Sequence, residues 1–163
     1  MKSLITTVVI TLTTVFSVNA QKASLTLSPI LSLYYNVKDA LINSDAKTAS
    51  VKAGDLAKTI SSINFNSMPA SGQSIFGSLK DKLVSDANRI SENNDIEKQK
   101  AYFSSLSTNI YSLVKMVKLS DQPVYQAYCP MKKAYWLSNE AAIRNPYYGK
   151  QMLTCGKVSD IIK

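Results

Sequence analysis

At 163 residues and 45% hydrophobic content, the chain is long enough to bury a core of its own and short for two domains. Lysine and arginine number 19 against 11 acidic residues, a net charge of +8; they never form a run of five, so the excess reads as solubility and not as a nucleic-acid footprint. Histidine is absent, which excludes imidazole-based nucleophile triads and histidine metal sites and removes the usual general base near neutral pH.

Residues 1–20 read as a signal peptide: Met1 and Lys2 give the positive start, Leu4 to Phe16 the apolar stretch, and Val18-Asn19-Ala20 the small-residue cleavage site. Threonines at 6, 7, 11, 13 and 14 interrupt the apolar run, which falls short of the ~20 residues a membrane span needs. The mature chain is then expected to start at Gln21, periplasmic or secreted, as one domain over residues 21–163 with no later membrane span.

Four amphipathic helices are expected next. Ser28-Pro29 offers an N-cap with proline at the first helical position, and Ile30, Leu33, Val37, Ala40 and Leu41 recur at helical spacing to about Asn43. Asp45 can cap a second helix carrying Ala49, Ala53, Leu56, Ile60 and Ile63. After turn chemistry from Asn64 to Gly72, with Asn66, Ser67 and Pro69, a third helix turns Ile75, Leu79, Leu83, Ala87 and Ile90 inward. Asn94 and Glu97 are spaced as a capping box for the fourth, through Ile96, Phe103, Leu106, Ile110, Leu113 and Val117. The expected class is mainly α: an up-down four-helix bundle with a small C-terminal β-hairpin and loop module from about residue 123. The hairpin pairs Val124 to Tyr128 with Ala134 to Leu137, and Val158 to Ile162 closes the chain as a helical turn.

The module holds four sulfurs, in Cys129-Pro130-Met131 and Met152-Leu153-Thr154-Cys155. Thiolate and thioether are soft donors that suit Cu(I), so Cys129, Met131, Met152 and Cys155 are candidate metal ligands; zinc is a poorer match for two thioethers. Two cysteines in an exported chain equally invite a disulfide, closing a loop of about 26 residues for roughly 3 kcal/mol in the chain-entropy model. Trp136 and the tyrosines around it, Tyr147 among them, suit core packing or a shield over a bound cation. Arg144 and Asn145, in Arg-Asn-Pro-Tyr, suit loop fixation or contact with a partner. No base, nucleophile and orienting group can be named together, so a non-enzyme is expected.

These motifs, Cys129-Pro130-Met131, Ala134-Tyr135-Trp136-Leu137-Ser138, Ile143-Arg144-Asn145-Pro146-Tyr147-Tyr148-Gly149 and Met152-Leu153-Thr154-Cys155-Gly156, together resemble the domain of unknown function 3347 family. The resemblance extends upstream to Tyr35-Asn36-Val37-Lys38-Asp39-Ala40-Leu41 and Asp95-Ile96-Glu97-Lys98-Gln99. It implies an exported bacterial protein, chiefly of Bacteroidetes, or a domain appended to adaptor subunits of heavy-metal efflux pumps. By implication the cargo is copper or a related soft metal, and the partner such an adaptor or another envelope protein. The other reading is a non-catalytic envelope interaction module whose disulfide is structural and whose aromatic C-terminal face docks onto a partner, with Trp136, Arg144, Asn145 and Tyr147 as loop or partner contacts.

Overall fold

The computed structural model describes residues 27–64, 70–117 and 119–163. The expected signal peptide at 1–20 and the turn residues Asn66, Ser67 and Pro69 lie outside them.

Helix α1 spans Ser28–Ile42 and is capped by Leu27, not Ser28, with no side-chain cap bond. Pro29 fits the one-residue shift: at the second helical position its fixed φ suits the helix, and its missing N–H falls where no intrahelical partner exists. Ser44, at φ 56°, turns the chain into α2, Ala46–Ser62. Asp45 caps that helix as expected, accepting from the Thr48 N–H at 2.9 Å and its hydroxyl at 2.6 Å. Helix α3 is Ala70–Ser91 and α4 is Ile96–Met116. The cap of α4 is Asp95 and not Asn94, because the extended backbone at Asp95 (φ −87°, ψ 113°) aims its carboxylate at the Glu97 and Lys98 N–H groups.

The four helices pack as an up-down bundle, each against its neighbour in sequence, with α1 closing on α4. Their inward stripes are largely those the periodicity marks. In α2, Ala49, Ala53, Leu56 and Ile60 are buried, and in α4 Phe103, Leu106, Ile110 and Leu113. On α3, Leu83, Ala87 and Ile90 are buried, while Phe76 takes the fully buried place beside a half-buried Ile75. Each large apolar side chain so buried is worth about 1.5–3 kcal/mol.

The C-terminal module is a three-stranded antiparallel sheet, β1 Val124–Cys129, β2 Ala134–Ser138 and β3 Lys157–Ile162, in the order β2-β1-β3. The expected hairpin is present, with Tyr125 opposite Ser138 and Cys129 opposite Ala134. The tail is a strand and not the expected helical turn. Val158, Asp160 and Ile162 are half-buried and the residues between them exposed, a period of two, and β1 offers a free edge on which Lys157 pairs with Tyr128 and Ile162 with Val124.

The sheet rests on α4, and polar bonds set its height. The buried Tyr34 hydroxyl lies 2.7 Å from Ser107 Oγ and accepts from the Leu137 N–H at 2.9 Å, joining α1, α4 and β2. Asp160 accepts from the Tyr111 hydroxyl at 2.8 Å and from Lys115 at 3.1 Å, fastening β3 to α4.

Candidate sulfur site

Cys129 ends β1 and Cys155 stands two residues before β3, so the antiparallel pairing that aligns Tyr128 with Lys157 also brings the two thiols together. Their sulfurs stand 3.9 Å apart, both as free cysteines, Cys129 buried and Cys155 half-buried. The approach depends on Gly156. Its φ of +146° is open essentially to glycine alone, and a Cβ there would lie 2.8 Å from the Trp136 ring and 3.0 Å from the Tyr128 carbonyl oxygen.

Asn145 fixes the loop leading to Cys155. Fully buried, it donates through Nδ2 to the Cys155 carbonyl at 2.7 Å and accepts at Oδ1 from the Tyr147 and Tyr148 N–H groups at 2.8 and 3.3 Å. Its own N–H reaches the Leu153 carbonyl at 2.8 Å and its carbonyl receives the Gly149 N–H at 3.0 Å. An asparagine before proline bonding the amide two residues on is an Asx turn, the local signal that makes this segment a built loop. Gly149, at φ +53°, seats the one-turn 3₁₀ helix Gly149–Gln151 against α1, where a Cβ would meet the Ile42 carbonyl oxygen at 2.7 Å.

The two thiols are electrostatically unequal. Burial raises the Cys129 thiol, but donation from the Lys132 N–H, the Asn145 side chain, the Cys155 thiol and the Met131 N–H outweighs it and holds Cys129 below the ordinary thiol range. Burial, and then the hydrogen bond to and charge of Cys129, push Cys155 up. Cys129 is therefore the sulfur that ionises first, with Cys155 as its donor.

The other candidates divide. Met131, in the hairpin turn, is 61% exposed and Met152 36%, so of the four sulfurs the structure brings two into contact. Trp136 and Tyr147 are 1% and 2% exposed and stand edge to face at 6.1 Å: they are core. The Tyr147 hydroxyl donates to the Tyr135 carbonyl at 2.5 Å. Arg144 is exposed and reaches Asp39 on α1 at 3.9 Å, a contact that helps hold the loop to the bundle. Among the described residues, no three His, Cys, Asp or Glu side chains converge. What the site offers chemically is a dithiol with thioethers in the flanking segments.

Residues 30–122 match the model of a family described as "Protein of unknown function (DUF3347)", more than half of the chain. The chain belongs to this family. No curated protein and no solved structure matches it. The DUF3347 match takes in the four helices and stops just before β1, so both cysteines lie beyond the matched segment.

Proposed function

We propose that the protein is an exported, non-catalytic accessory protein that binds a soft metal, Cu(I), between Cys129 and Cys155 in metal handling or efflux. The observation that carries this reading is the 3.9 Å separation of two free thiols in a chain without histidine. Two sulfurs each about 2.3 Å from a shared ion would stand roughly 3.8 Å apart at a tetrahedral angle and about 4.6 Å apart across a linear one. The observed spacing falls between these limits and requires no movement of either strand. Cys129 and Cys155 would hold the ion as thiolates, while Met131 and Met152 are within a few residues and free of core packing, available as softer third and fourth donors. An ion held this way can be passed to a partner by ligand exchange at the exposed thioethers, and an adaptor subunit of an efflux pump or another envelope protein is the proposed recipient.

The same pair supports a second reading, an envelope interaction module with a Cys129–Cys155 disulfide, since the sulfurs need to approach by only about 2 Å to reach bonding distance. Anaerobic titration of the reduced protein with Cu(I) against a competing chelator separates the two. Metal handling predicts one equivalent bound tightly and loss of that binding in Cys129→Ser, Cys155→Ser. Unchanged affinity in that variant sinks it, and intact mass then shows whether the cysteines are oxidised in the exported protein.

A further inference from the structure

Between the first turn of α4, the hairpin turn and the 3₁₀ helix lies a recess of about 560 Å³ lined by Lys100, Lys132, Lys150, Glu97, Tyr148 and Ser44, among others. Lys100 is 6% exposed and is held at 2.7 Å by Glu97, so its ammonium is fixed in the wall. Lys132 and Lys150 are exposed, and among the described residues neither ammonium has a carboxylate partner. Three lysines against one glutamate leave the recess with two uncompensated positive charges. The Glu97 and Lys98 amides of α4 are already taken by Asp95, so the attraction comes from the lysines and not from the helix end.

Two positive charges facing a half-enclosed volume of this size match a dianion with a small organic remainder. A phosphate monoester carries about −1.5 to −2 charge at neutral pH, and lysine binds phosphate as a point charge without demanding a planar fork. The volume lies within the range of small-molecule sites, about 300–1,000 Å³, and exceeds what a bare phosphate fills. We infer that this recess is a binding site for a phosphate group, carried by a small phosphorylated molecule or as the free ion. The site is separate from the sulfur pair but shares its scaffold: the Lys132 N–H donates to Cys129 Sγ at 3.4 Å, and the Tyr148 N–H to Asn145 Oδ1.

Calorimetric titration of the purified full chain at low ionic strength, with glycerol 3-phosphate and with inorganic phosphate, tests the inference without any metal. The expected result is saturable 1:1 binding that weakens as salt rises. Removing two charge-assisted contacts in Lys132→Gln, Lys150→Gln should weaken it by about tenfold or more. Lys58→Gln, Lys82→Gln removes the same charge from exposed positions of α2 and α3 outside the recess and should weaken binding clearly less, because it lowers only the general field and removes no contact to the anion. Tighter binding of the ester assigns the source as a phosphorylated molecule, and equal binding assigns free phosphate. No saturable heat with either probe, or equal weakening by both lysine pairs, overturns the site.

Discussion

The buried stripe of α2 is Ala49, Ala53, Leu56, Ala57 and Ile60, while the C-terminal module buries Trp136, Tyr147, Asn145 and Cys129. In the bundle, shape and apolar area determine the arrangement, and one aliphatic residue could stand in for another with modest repacking. In the module, individual hydrogen bonds and two glycines with positive φ determine it, so single atoms matter more than area. The family match follows the same division, ending where the sheet begins. The scaffold and the candidate chemistry are thus two layers over one shared hydrophobic core, with Phe103 of α4 packed near Tyr147, and with polar ties from Tyr34 to Leu137, Asp160 to Tyr111 and Arg144 to Asp39 across the seam.

The contrast can be broken most forcefully from the bundle side. Leu106→Ala removes a fully buried side chain at the centre of α4 and should cost about 2–5 kcal/mol, read as a lower urea midpoint with sheet and helices lost together. If the sheet signal survived after the helices melted, the module would not depend on the bundle for its fold.

Asn145→Ala should cost about 2–3 kcal/mol, because it leaves the Cys155 carbonyl and the Tyr147 amide without their partner in a buried loop. Its effect should be concentrated in the module: faster alkylation of Cys129, with far-ultraviolet helicity retained. Loss of helicity at the same temperature as alkylation would show that the two layers melt as one.

The seam between the layers can be probed with pH. Burial and the neighbouring Tyr147 hold the Tyr34 hydroxyl well above 10.0, and burial raises Tyr35 to about 12. An unfolded tyrosine loses its proton near pH 10 while the native one keeps it, so stability is complete below that value and falls as pH rises, by up to about 1.4 kcal/mol per pH unit for each such tyrosine. Thermal melts between pH 9 and 12 should show this decline, and Tyr34→Phe should flatten it. An identical slope in the variant would remove Tyr34 from the account. The smallest effect belongs to Arg144→Ala: the ion pair with Asp39 is half exposed and 3.9 Å long, so less than about 1 kcal/mol should be lost in a denaturant titration.

The bundle was legible because helix periodicity records burial directly: Asp45 as cap and the inward faces of α2 and α4 follow from spacing alone. The caps expected at Ser28 and Asn94 each lie one residue from the observed ones, the apolar Leu27 and the acidic Asp95, a shift that only backbone angles decide. Phe76 is masked in the pattern by Ile75, which fits the same stripe one residue earlier, little more than a quarter of a turn away. Strand β3 is not legible in sequence because six residues of mixed polarity are too short to distinguish periods of two and 3.6; what selects the strand is the open edge of β1, a tertiary fact. The sulfur pair was legible as residue types, but not its membership: the cysteines meet because Tyr128 pairs with Lys157, whereas Met131 and Met152 are left in solvent by the turn and the 3₁₀ helix. The lysine recess left no trace in sequence, since Lys100, Lys132 and Lys150 are converged by three separate elements.

Copper-edge X-ray absorption of the reduced, Cu(I)-loaded protein tests the central claim most directly. The account predicts a first shell of sulfur only, lost in Cys129→Ser, Cys155→Ser. A shell of nitrogen or oxygen, or a sulfur shell that persists without either cysteine, would contradict it.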